Sequence, residues 1–213
     1  MIVDERVSCY IKSLTACNSN FLEELREKAL EDKVPIIKRE TESLLKTLLL
    51  LKKPKKILEV GTAVAYSSLV MAEVLEGKTK ISTIENYEKR VLEAKKNIAD
   101  SNYSNTIHLI EEDASKVLKE LVEKKEKYDF IFMDAAKGQY INWLEPVIKL
   151  LNKEGVLCSD NVLQGGDIVQ SRYLIERRDR SIHSRLREYL YELTHREELS
   201  TTILSLGDGV ALT

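Results

Sequence analysis

The sequence has few cysteines and no long apolar run, and these absences exclude two broad classes of protein. The three cysteines, Cys9, Cys17 and Cys158, form no CxxC pair and have no histidine at the spacing of a zinc site. Scattered thiols are typical of a reducing compartment, so we predict no disulfides and expect the thiols to be buried as small hydrophobic residues. A chain of 213 residues buries enough surface to be stable without such cross-links.

A membrane-spanning segment and a strong overall charge are also lacking. The apolar run Leu48-Leu49-Leu50-Leu51 is far shorter than the ~20 residues needed to cross a bilayer. The first residues, Met1-Ile2-Val3-Asp4-Glu5-Arg6, do not have the apolar stretch of a signal peptide. A formal net charge of -2 attracts neither nucleic acid nor membrane, so any nucleic-acid site must be a local patch. We therefore predict a cytoplasmic protein without a membrane partner.

The first quarter of the chain has the periodicity of helices. Apolar residues recur at helical spacing in three stretches, at residues 7–14, 21–29 and 38–52. Asn18 or Ser19 is the predicted N-cap of the second helix, and Val34-Pro35 separates the second from the third, because proline disfavours helix in the residue before it. We predict one domain over residues 1–213, with residues 1–53 as a helical segment packed on it.

After Pro54 the pattern changes to short strands that alternate with helices. Apolar runs predict five strands, at residues 56–60, 80–85, 106–110, 128–134 and 155–160. Such alternation favours an α/β fold of the Rossmann-like class, a mostly parallel sheet with helices on both faces. A polar helix is predicted at 178–194, and Gly207-Asp208-Gly209 then indicates a hairpin between residues 200–206 and 210–213. The sheet should therefore finish with an antiparallel pair.

Polar or glycine residues stand at the ends of all five strands, where ligands bind in open α/β sheets. Gly61 allows a sharp turn, and a helix beginning near Val64 would present free amides to an anion. The turn has one glycine where the dinucleotide fingerprint has three. Glu85 can accept both hydroxyls of a ribose or can stabilise a helix N-terminus. Asp113-Ala114 can contact an adenine amino group or can cap the next helix.

Asp134, Asp160 and Asn161 form the strongest constellation in the sequence. They follow neighbouring strands and supply two carboxylates and an amide, which suit Mg²⁺, Mn²⁺ or Ca²⁺ rather than zinc. The alternative is a set of hydrogen-bonded caps. Lys137, three residues after Asp134, either accepts a proton beside the metal or is an ordinary surface lysine.

At these residues the chain resembles the metal-dependent O-methyltransferase family that includes catechol and caffeoyl-CoA O-methyltransferases. The motifs that carry the resemblance are Ile57-Leu58-Glu59-Val60-Gly61-Thr62, Thr83-Ile84-Glu85, Phe132-Met133-Asp134-Ala135-Ala136-Lys137 and Ser159-Asp160-Asn161-Val162. The resemblance implies a seven-stranded sheet with a reversed last strand, a homodimer, S-adenosylmethionine as cofactor, metal ligation by Asp134, Asp160 and Asn161, and catalysis by Lys137 with Asp134. It implies cofactor contacts at Lys38, Glu59, Gly61, Ser67, Ser68, Glu85, Asp113, Ala114 and Asp134.

Within the family the chain is most similar to the bacterial tRNA 5-hydroxyuridine methyltransferases. This similarity is carried by Val34-Pro35-Ile36-Ile37-Lys38-Arg39-Glu40, Asp134-Ala135-Ala136-Lys137-Gly138-Gln139-Tyr140 and Gly207-Asp208-Gly209. It implies methylation of wobble 5-hydroxyuridine to 5-methoxyuridine. Ala135-Ala136 stands where catechol-type enzymes have bulky residues, which argues against a catechol. The alternative acceptor is a small catechol-like or hydroxycinnamoyl molecule.

A tRNA substrate requires a basic surface, and the sequence offers one candidate. Six arginines fall between Ser171 and Leu190, namely Arg172, Arg177, Arg178, Arg180, Arg185 and Arg187, among the acids Glu176, Asp179 and Glu188. Lys38 and Arg39 are expected near the site entrance. Tyr66, Tyr140 or Trp143 can stack on a splayed base or can pack in the core. The arginines can equally form a salt-bridged helix face.

Two further hypotheses come from other classes of protein. The architecture alone also permits a nicotinamide-dependent dehydrogenase, although the missing glycines argue against it. A non-catalytic nucleotide-binding or RNA-binding module is the other, and the row of acids at the strand ends argues against that one.

Overall fold

A computed structural model describes residues 4–213, so the helical prediction for residues 1–3 lies outside the described part of the chain. Three helices come first, α1 (Glu5–Leu14), α2 (Asn20–Glu31) and α3 (Arg39–Lys52). The Asp4 side chain caps α1 by accepting from the Arg6 amide. Ser19 stands at the N-cap position of α2, but its side chain accepts no hydrogen bond from a helix amide, and its hydroxyl donates to Glu73.

Strands and helices alternate after α3, as the sequence predicts. In chain order they are β1 (Lys56–Val60), α4 (Tyr66–Val74), β2 (Lys80–Glu85), α5 (Glu88–Ala99), β3 (Ile107–Glu111), α6 (Ala114–Glu123), β4 (Tyr128–Met133), α7 (Tyr140–Leu150), β5 (Leu151–Asp160), α8 (Arg180–His195), β6 (Thr202–Leu204) and β7 (Val210–Leu212).

The seven strands form one sheet in the order β3-β2-β1-β4-β5-β7-β6. The first five are parallel, and β7 runs antiparallel to both of its neighbours. The predicted Rossmann-like class, the hairpin and the reversed last strand are therefore confirmed. Gly207 and Gly209 take positive φ of 59° and 92° in the hairpin turn, which explains why glycine flanks Asp208.

Several predicted boundaries were wrong, and the largest error is at β5. This strand begins at Leu151 rather than Gly155, directly after α7, with a register shift opposite Tyr128 and Phe130. The first half of β5 was not predicted because residues 152–154 are polar. Polar residues are tolerated there, since this irregular end of the strand is not covered on both faces. The polar helix begins at Arg180 rather than residue 178, and β6 is shorter than the predicted 200–206 segment.

Both faces of the sheet are covered, which accounts for the unbroken apolar runs of the inner strands. On one face Ile57 and Phe130 pack with Leu45 and Leu49 of α3 and with side chains of α2 and α4. On the other face, Ile131 packs with side chains of α6, α7 and α8. The N-terminal helices thus share a hydrophobic core with the sheet.

The three cysteines are free, and the expectation that all are buried was wrong for two of them. Cys158 lies in β5 and is buried, whereas Cys9 and Cys17 lie near the N-terminal helices and are exposed. Cys9 belongs to α1, which has no buried residue, and Cys17 lies in the loop between α1 and α2. Among residues 4–213, no helix combines the length and the apolar character needed to cross a membrane.

Candidate active site

A cleft of about 990 Å³ opens at the carboxyl ends of the parallel strands. The ends of β1 to β5 all contribute to its wall, so the structure brings together the five strand ends identified in the sequence. Residues 35–38, before α3, and Asp208, in the hairpin turn, close the remaining sides. The cleft has the position at which open α/β sheets bind ligands.

The turn after β1 presses closely against the end of β4. Gly61 has φ of +101°, and a Cβ at this position would overlap the carbonyl oxygen of Asp134, so only glycine fits. Helix α4 begins at Tyr66 rather than near Val64, because Ala63 and Ala65 both take left-handed conformations. The turn is therefore longer than predicted, and its first three residues, Gly61, Thr62 and Ala63, line the cleft.

Glu59 lies behind the cleft wall rather than on it. Its carboxylate is fully buried and accepts hydrogen bonds from Ser68 and, at 2.6 Å, from Thr83. Burial raises the pKa of Glu59 to about 7, and the charge of Asp134 adds to this, against the hydrogen bonds from the hydroxyls. Its Oε1 atom has no hydrogen-bond partner within residues 4–213. Of the two predicted serine contacts, Ser67 lines the cleft and Ser68 does not.

Glu85 and Asp113 both make the structural hydrogen bonds that the sequence offered as the alternative to ligand binding. Both line the cleft. Glu85 also accepts at 2.9 Å from the Ala63 amide and at 3.0 Å from the Tyr87 amide, so it ties the first turn to the start of α5. Asp113 caps α6 by accepting from the Ser115 amide at 2.9 Å. Ala114, the first residue of α6, also lines the wall.

Asp134, Asp160 and Asn161 line the same part of the cleft. Asp134 accepts from Lys137 Nζ at 2.6 Å, whereas Asp160 is 2% exposed and receives only a long hydrogen bond of 3.4 Å from Thr41. Burial raises the pKa of Asp160 to about 7, and the charge of Asp134 raises it further. In the described chain, no three His, Cys, Asp or Glu side chains form a metal cluster; the third oxygen donor of this set is an amide.

Tyr140 holds Lys137 in place, and of the two roles left open for its ring, base stacking and core packing, the structure supports core packing. The ring is completely buried. Its hydroxyl accepts a hydrogen bond from Lys137 Nζ at 3.1 Å and donates one to the Met133 carbonyl at 2.8 Å. Tyr66 and Trp143 do line the cleft, although both are largely buried. Their polar atoms bind Glu42 and Ser115, at 2.7 and 2.9 Å.

Asp208 lines the cleft but was not among the predicted site residues, because Gly207-Asp208-Gly209 was interpreted as a hairpin turn and a subfamily motif, with no role for its acid. Its carboxylate accepts from Lys38 Nζ at 2.7 Å and from Asn161 Nδ2 at 3.2 Å. The sequence did contain a signal for this role, an acidic residue between two glycines in a predicted hairpin. In the structure, the second strand of that hairpin pairs with β5, the strand that ends at Asp160.

Arg39 was wrongly expected at the site entrance. Its side chain is 19% exposed and forms ion pairs with Glu23 and Glu42, away from the cleft wall. These acids come from α2 and α3, and the pairing of α2 with α3 was not visible in the local sequence. Lys38, the residue before it, does line the cleft.

The predicted arginine stretch divides into four arginines with hydrogen-bond or ion-pair partners and two without a side-chain partner in the described chain. Arg180, Arg185 and Arg187 donate to the backbone carbonyls of Ile175, Gly138 and Ile168, so they fasten neighbouring loops to α8. Arg178 pairs with Glu176 at 3.0 Å and Asp179 at 3.5 Å. Within residues 4–213, Arg172 and Arg177 are exposed and have no side-chain partner, so the basic surface is smaller than predicted.

Comparison with known proteins identifies the family. A family model described as O-methyltransferase matches residues 12–213. A caffeoyl-CoA O-methyltransferase of Citrus natsudaidai is 31% identical over 171 residues, which cover 74% of this chain and 70% of the relative. The solved structure of a candidate caffeoyl-CoA O-methyltransferase from Staphylococcus aureus is 32% identical, with a TM-score of 0.89 and 98% of each chain covered. A methyltransferase of Podospora anserina bound to SAH is 24% identical, with a TM-score of 0.87, over 98% of this chain and 93% of that one.

The family resemblance inferred from the motifs is thereby confirmed, while metal dependence and the tRNA subfamily stay predictions. The family model spans almost the whole chain, and both relatives above 30% identity cover most of it. The chain belongs to the O-methyltransferase family and is of the caffeoyl-CoA O-methyltransferase type.

Proposed function

We propose that this methyltransferase converts 5-hydroxyuridine at the wobble position of tRNA to 5-methoxyuridine, with the help of a divalent cation. The observation that carries the proposal is the meeting of Asp134, Asp160 and Asn161 in one wall of the cleft. The cleft has the volume of a site for a cofactor and one more small group. One flipped nucleoside has that size.

The cleft fits S-adenosylmethionine, which supplies an activated methyl group when bound. Glu85 at the end of β2 would bind the ribose hydroxyls, and Asp113 with Ala114 would contact the adenine, since all three line the cleft. The Gly61 turn would receive the amino-acid part, because its backbone is open to close approach. The SAH-bound neighbour from Podospora anserina, which shares the fold, supports this placement.

The acidic end of the cleft fits a hard divalent cation, which would lower the pKa of an acceptor hydroxyl and hold the resulting oxyanion. Asp134, Asp160 and Asn161 offer only oxygen atoms, the ligands of Mg²⁺, Mn²⁺ and Ca²⁺. Asp160 is buried with only a long hydrogen bond from Thr41, and a bound cation would relieve that cost. Lys137, next to Asp134, would accept the proton that the acceptor hydroxyl releases once its own ammonium has lost a proton to solvent and it is a neutral amine.

5-Hydroxyuridine fits this arrangement because its O5 hydroxyl is adjacent to the O4 carbonyl, so two oxygens can approach the cation together. Ala135 and Ala136 have small side chains that leave room for the pyrimidine ring. Binding would align O5 with the methyl group for in-line transfer.

A surface beside the cleft supports an RNA acceptor. Gln164 and Gly165 line the cleft, and the chain continues from them to Arg172, Tyr173 and Arg177. Tyr173 is 85% exposed, and an exposed aromatic ring between free arginines is suited to stacking on a base of a single-stranded loop. The anticodon loop has this character.

The test is methyl transfer from tritium-labelled S-adenosylmethionine to tRNA that carries unmethylated wobble 5-hydroxyuridine. We expect Mg²⁺- or Mn²⁺-dependent incorporation that is lost in Asp160→Ala and retained in the matched surface variant Asp100→Ala. Near-native incorporation by Asp160→Ala would refute the metal mechanism. Absence of labelled tRNA with every cation tested would refute the tRNA substrate.

A small catechol-like or hydroxycinnamoyl acceptor is the second candidate. The 31% identical caffeoyl-CoA O-methyltransferase favours it, since such acceptors also carry two adjacent oxygens. The same labelled cofactor should be offered with caffeoyl-CoA and with a catechol, in parallel with tRNA. Faster transfer to either small molecule, measured as kcat/KM, would replace the first candidate with the second.

We further propose that the chain acts as one domain and assembles as a homodimer through α1. This helix buries none of its side chains and leaves a row of apolar residues exposed, namely Val7, Tyr10, Ile11 and Leu14. A second copy is a suitable cover, because the row is self-complementary and runs along one helix face. Sedimentation equilibrium should give a dimer for the wild type and a monomer for Ile11→Glu with Leu14→Glu. A monomeric wild type would contradict the proposal.

A further inference from the structure

The carboxylate of Asp208 makes two contacts at the cleft rim that the reaction does not obviously require. Its Oδ2 atom accepts a hydrogen bond from Asn161 Nδ2 at 3.2 Å. Its Oδ1 atom accepts from Lys38 Nζ at 2.7 Å. The three residues come from three separate parts of the chain, the segment before α3, the end of β5 and the hairpin turn.

The contact between Asp208 and Asn161 determines which way the amide faces. A side-chain amide has one donor end and one acceptor end, and a carboxylate can only accept. The nitrogen of Asn161 must therefore point to Asp208, so its oxygen is left for the other side, where the cleft and the two carboxylates lie. Without a charged acceptor at this place, both orientations of the amide would have similar energy.

The backbone holds Asp208 firmly enough to impose this orientation. The amides of Val162 and Leu163 donate to the carbonyls of Gly209 and Asp208, each at 3.0 Å, so the hairpin turn is fastened to the residues just after Asn161. A Cβ on Gly209 would overlap Leu163, which leaves no space for the turn to shift towards β5.

The ion pair with Lys38 explains why Asp208, a third carboxylate at this rim, would not compete with Asp134 and Asp160 for a cation. The lysine ammonium holds the other oxygen of Asp208 and compensates the charge. Asp208 can then act on the amide as an acceptor while remaining outside the set of ligands.

We propose that Asp208 is a positioning residue that turns the side-chain oxygen of Asn161 towards the divalent cation. This inference rests on the proposed metal dependence. It goes beyond that function by assigning a role to a residue outside the three ligands. Outer partners of metal ligands commonly change metal affinity by about 10–100-fold.

The test is direct Mn²⁺ binding, measured from the free-ion signal in electron paramagnetic resonance, for the wild type, Asp208→Asn, Asp208→Ala and the surface control Asp100→Asn. Asn at 208 can donate to the oxygen of Asn161 and so favour the wrong orientation, whereas Ala offers neither donor nor acceptor. We expect Asp208→Asn to weaken Mn²⁺ binding by about 10–100-fold, and Asp208→Ala to weaken it less. SAH affinity should not change, and saturating Mn²⁺ should restore turnover.

The outcomes separate this inference from the proposed function. If the wild type binds no Mn²⁺ with or without SAH, the metal dependence itself is refuted. If the wild type binds Mn²⁺ and Asp208→Asn binds it equally well, the positioning role is refuted. A larger loss in Asp208→Ala than in the isosteric Asp208→Asn would also overturn it, because that order is expected of a merely structural residue.

Discussion

Two regions of this molecule bury acidic side chains, and they differ in whether positively charged groups surround the buried carboxylate. Glu42 of α3 is 1% exposed at its side chain and is surrounded by polar partners from several elements, namely Arg26 (3.6 Å), Arg39 (3.2 Å), Lys46 (2.9 Å), Tyr66 (2.7 Å) and Asn18 (2.8 Å). Asp160 and Glu59, near the cleft, are equally buried, but within residues 4–213 no ammonium or guanidinium group donates to them, and their side-chain donors are hydroxyl groups.

The pKa values follow this difference. Burial would raise the pKa of Glu42, but the hydrogen bonds from Tyr66, Lys46 and Asn18 outweigh burial, and the pKa is lowered. Burial raises the pKa of both Asp160 and Glu59 to about 7, because no cation within hydrogen-bonding distance compensates it. Compensated burial indicates a structural group, and uncompensated burial indicates a place prepared for a ligand.

The largest effect should come from Asp160→Asn. We expect methyl transfer to fall by roughly 10³-fold, because a cation that stabilises the reacting oxyanion is worth several kcal/mol. Thermal stability should stay equal or rise, since the substitution removes a buried carboxyl without a cationic partner. Turnover, SAH affinity and the thermal midpoint should be measured together. A normal rate combined with a lowered midpoint would make Asp160 a structural residue.

Glu42→Gln should show the reverse pattern. We expect unfolding free energy to fall by about 3 kcal/mol, because Arg26, Arg39 and Lys46 would keep their charges without their shared partner. Turnover per folded molecule should be almost unchanged. Urea denaturation provides the measurement, and Glu27→Gln on the exposed side of α2 is the matched control, with a change within about 0.5 kcal/mol. Equal losses in both variants would contradict the comparison.

The parts of the fold that local patterns determine were predictable from the sequence. The run Phe130-Ile131-Phe132-Met133 predicts a strand covered on both faces, and the structure places it at the centre of the sheet. The glycines on either side of Asp208 predict the hairpin because they allow positive φ. The strand-end rule located the cleft because parallel strands share one edge.

Long-range pairings and unusual conformations could not be predicted. Lys38 and Asp208 are 170 positions apart, and nothing near either residue indicates the other. Glu42 and Arg39 look like ordinary surface charges of an amphipathic helix until α2 and α4 pack beside them. Ala63 and Ala65 give no signal for left-handed backbone, so the start of α4 was misplaced.

The two kinds of acid should also respond differently to pH. The folded pKa of Glu59 is raised from 4.5 to about 7, so its stabilising effect is complete below 4.5 and is lost as pH rises to about 7. The folded pKa of Glu42 is lowered, so its effect is present above 4.5 and is lost as pH falls through the folded value. Glu59→Gln should flatten the decline between pH 4.5 and 7 by roughly 3 kcal/mol in denaturation measurements. An unchanged slope would contradict the raised pKa.

The smallest effect should come from the arginines between Ser171 and Leu190, some of which have a partner in the protein and some of which do not. Arg172 and Arg177 have no side-chain partner within residues 4–213, so the pair Arg172→Gln and Arg177→Gln should raise the KM for tRNA about tenfold at moderate salt. It should lower the slope of log KM against log salt by about 1–2, because phosphate contacts release counterions.

Arg180→Gln is the control for this last comparison, since its guanidinium donates to the Ile175 carbonyl at 3.0 Å. It should cost about 1 kcal/mol of stability and leave the salt slope unchanged. Transfer to a small acceptor should be insensitive to all three substitutions, because that acceptor does not reach the arginine surface. If Arg180→Gln lowered the salt slope as much as the double variant, arginines with a partner in the protein would contact the RNA as well as those without one. The tRNA would then lie along α8 itself.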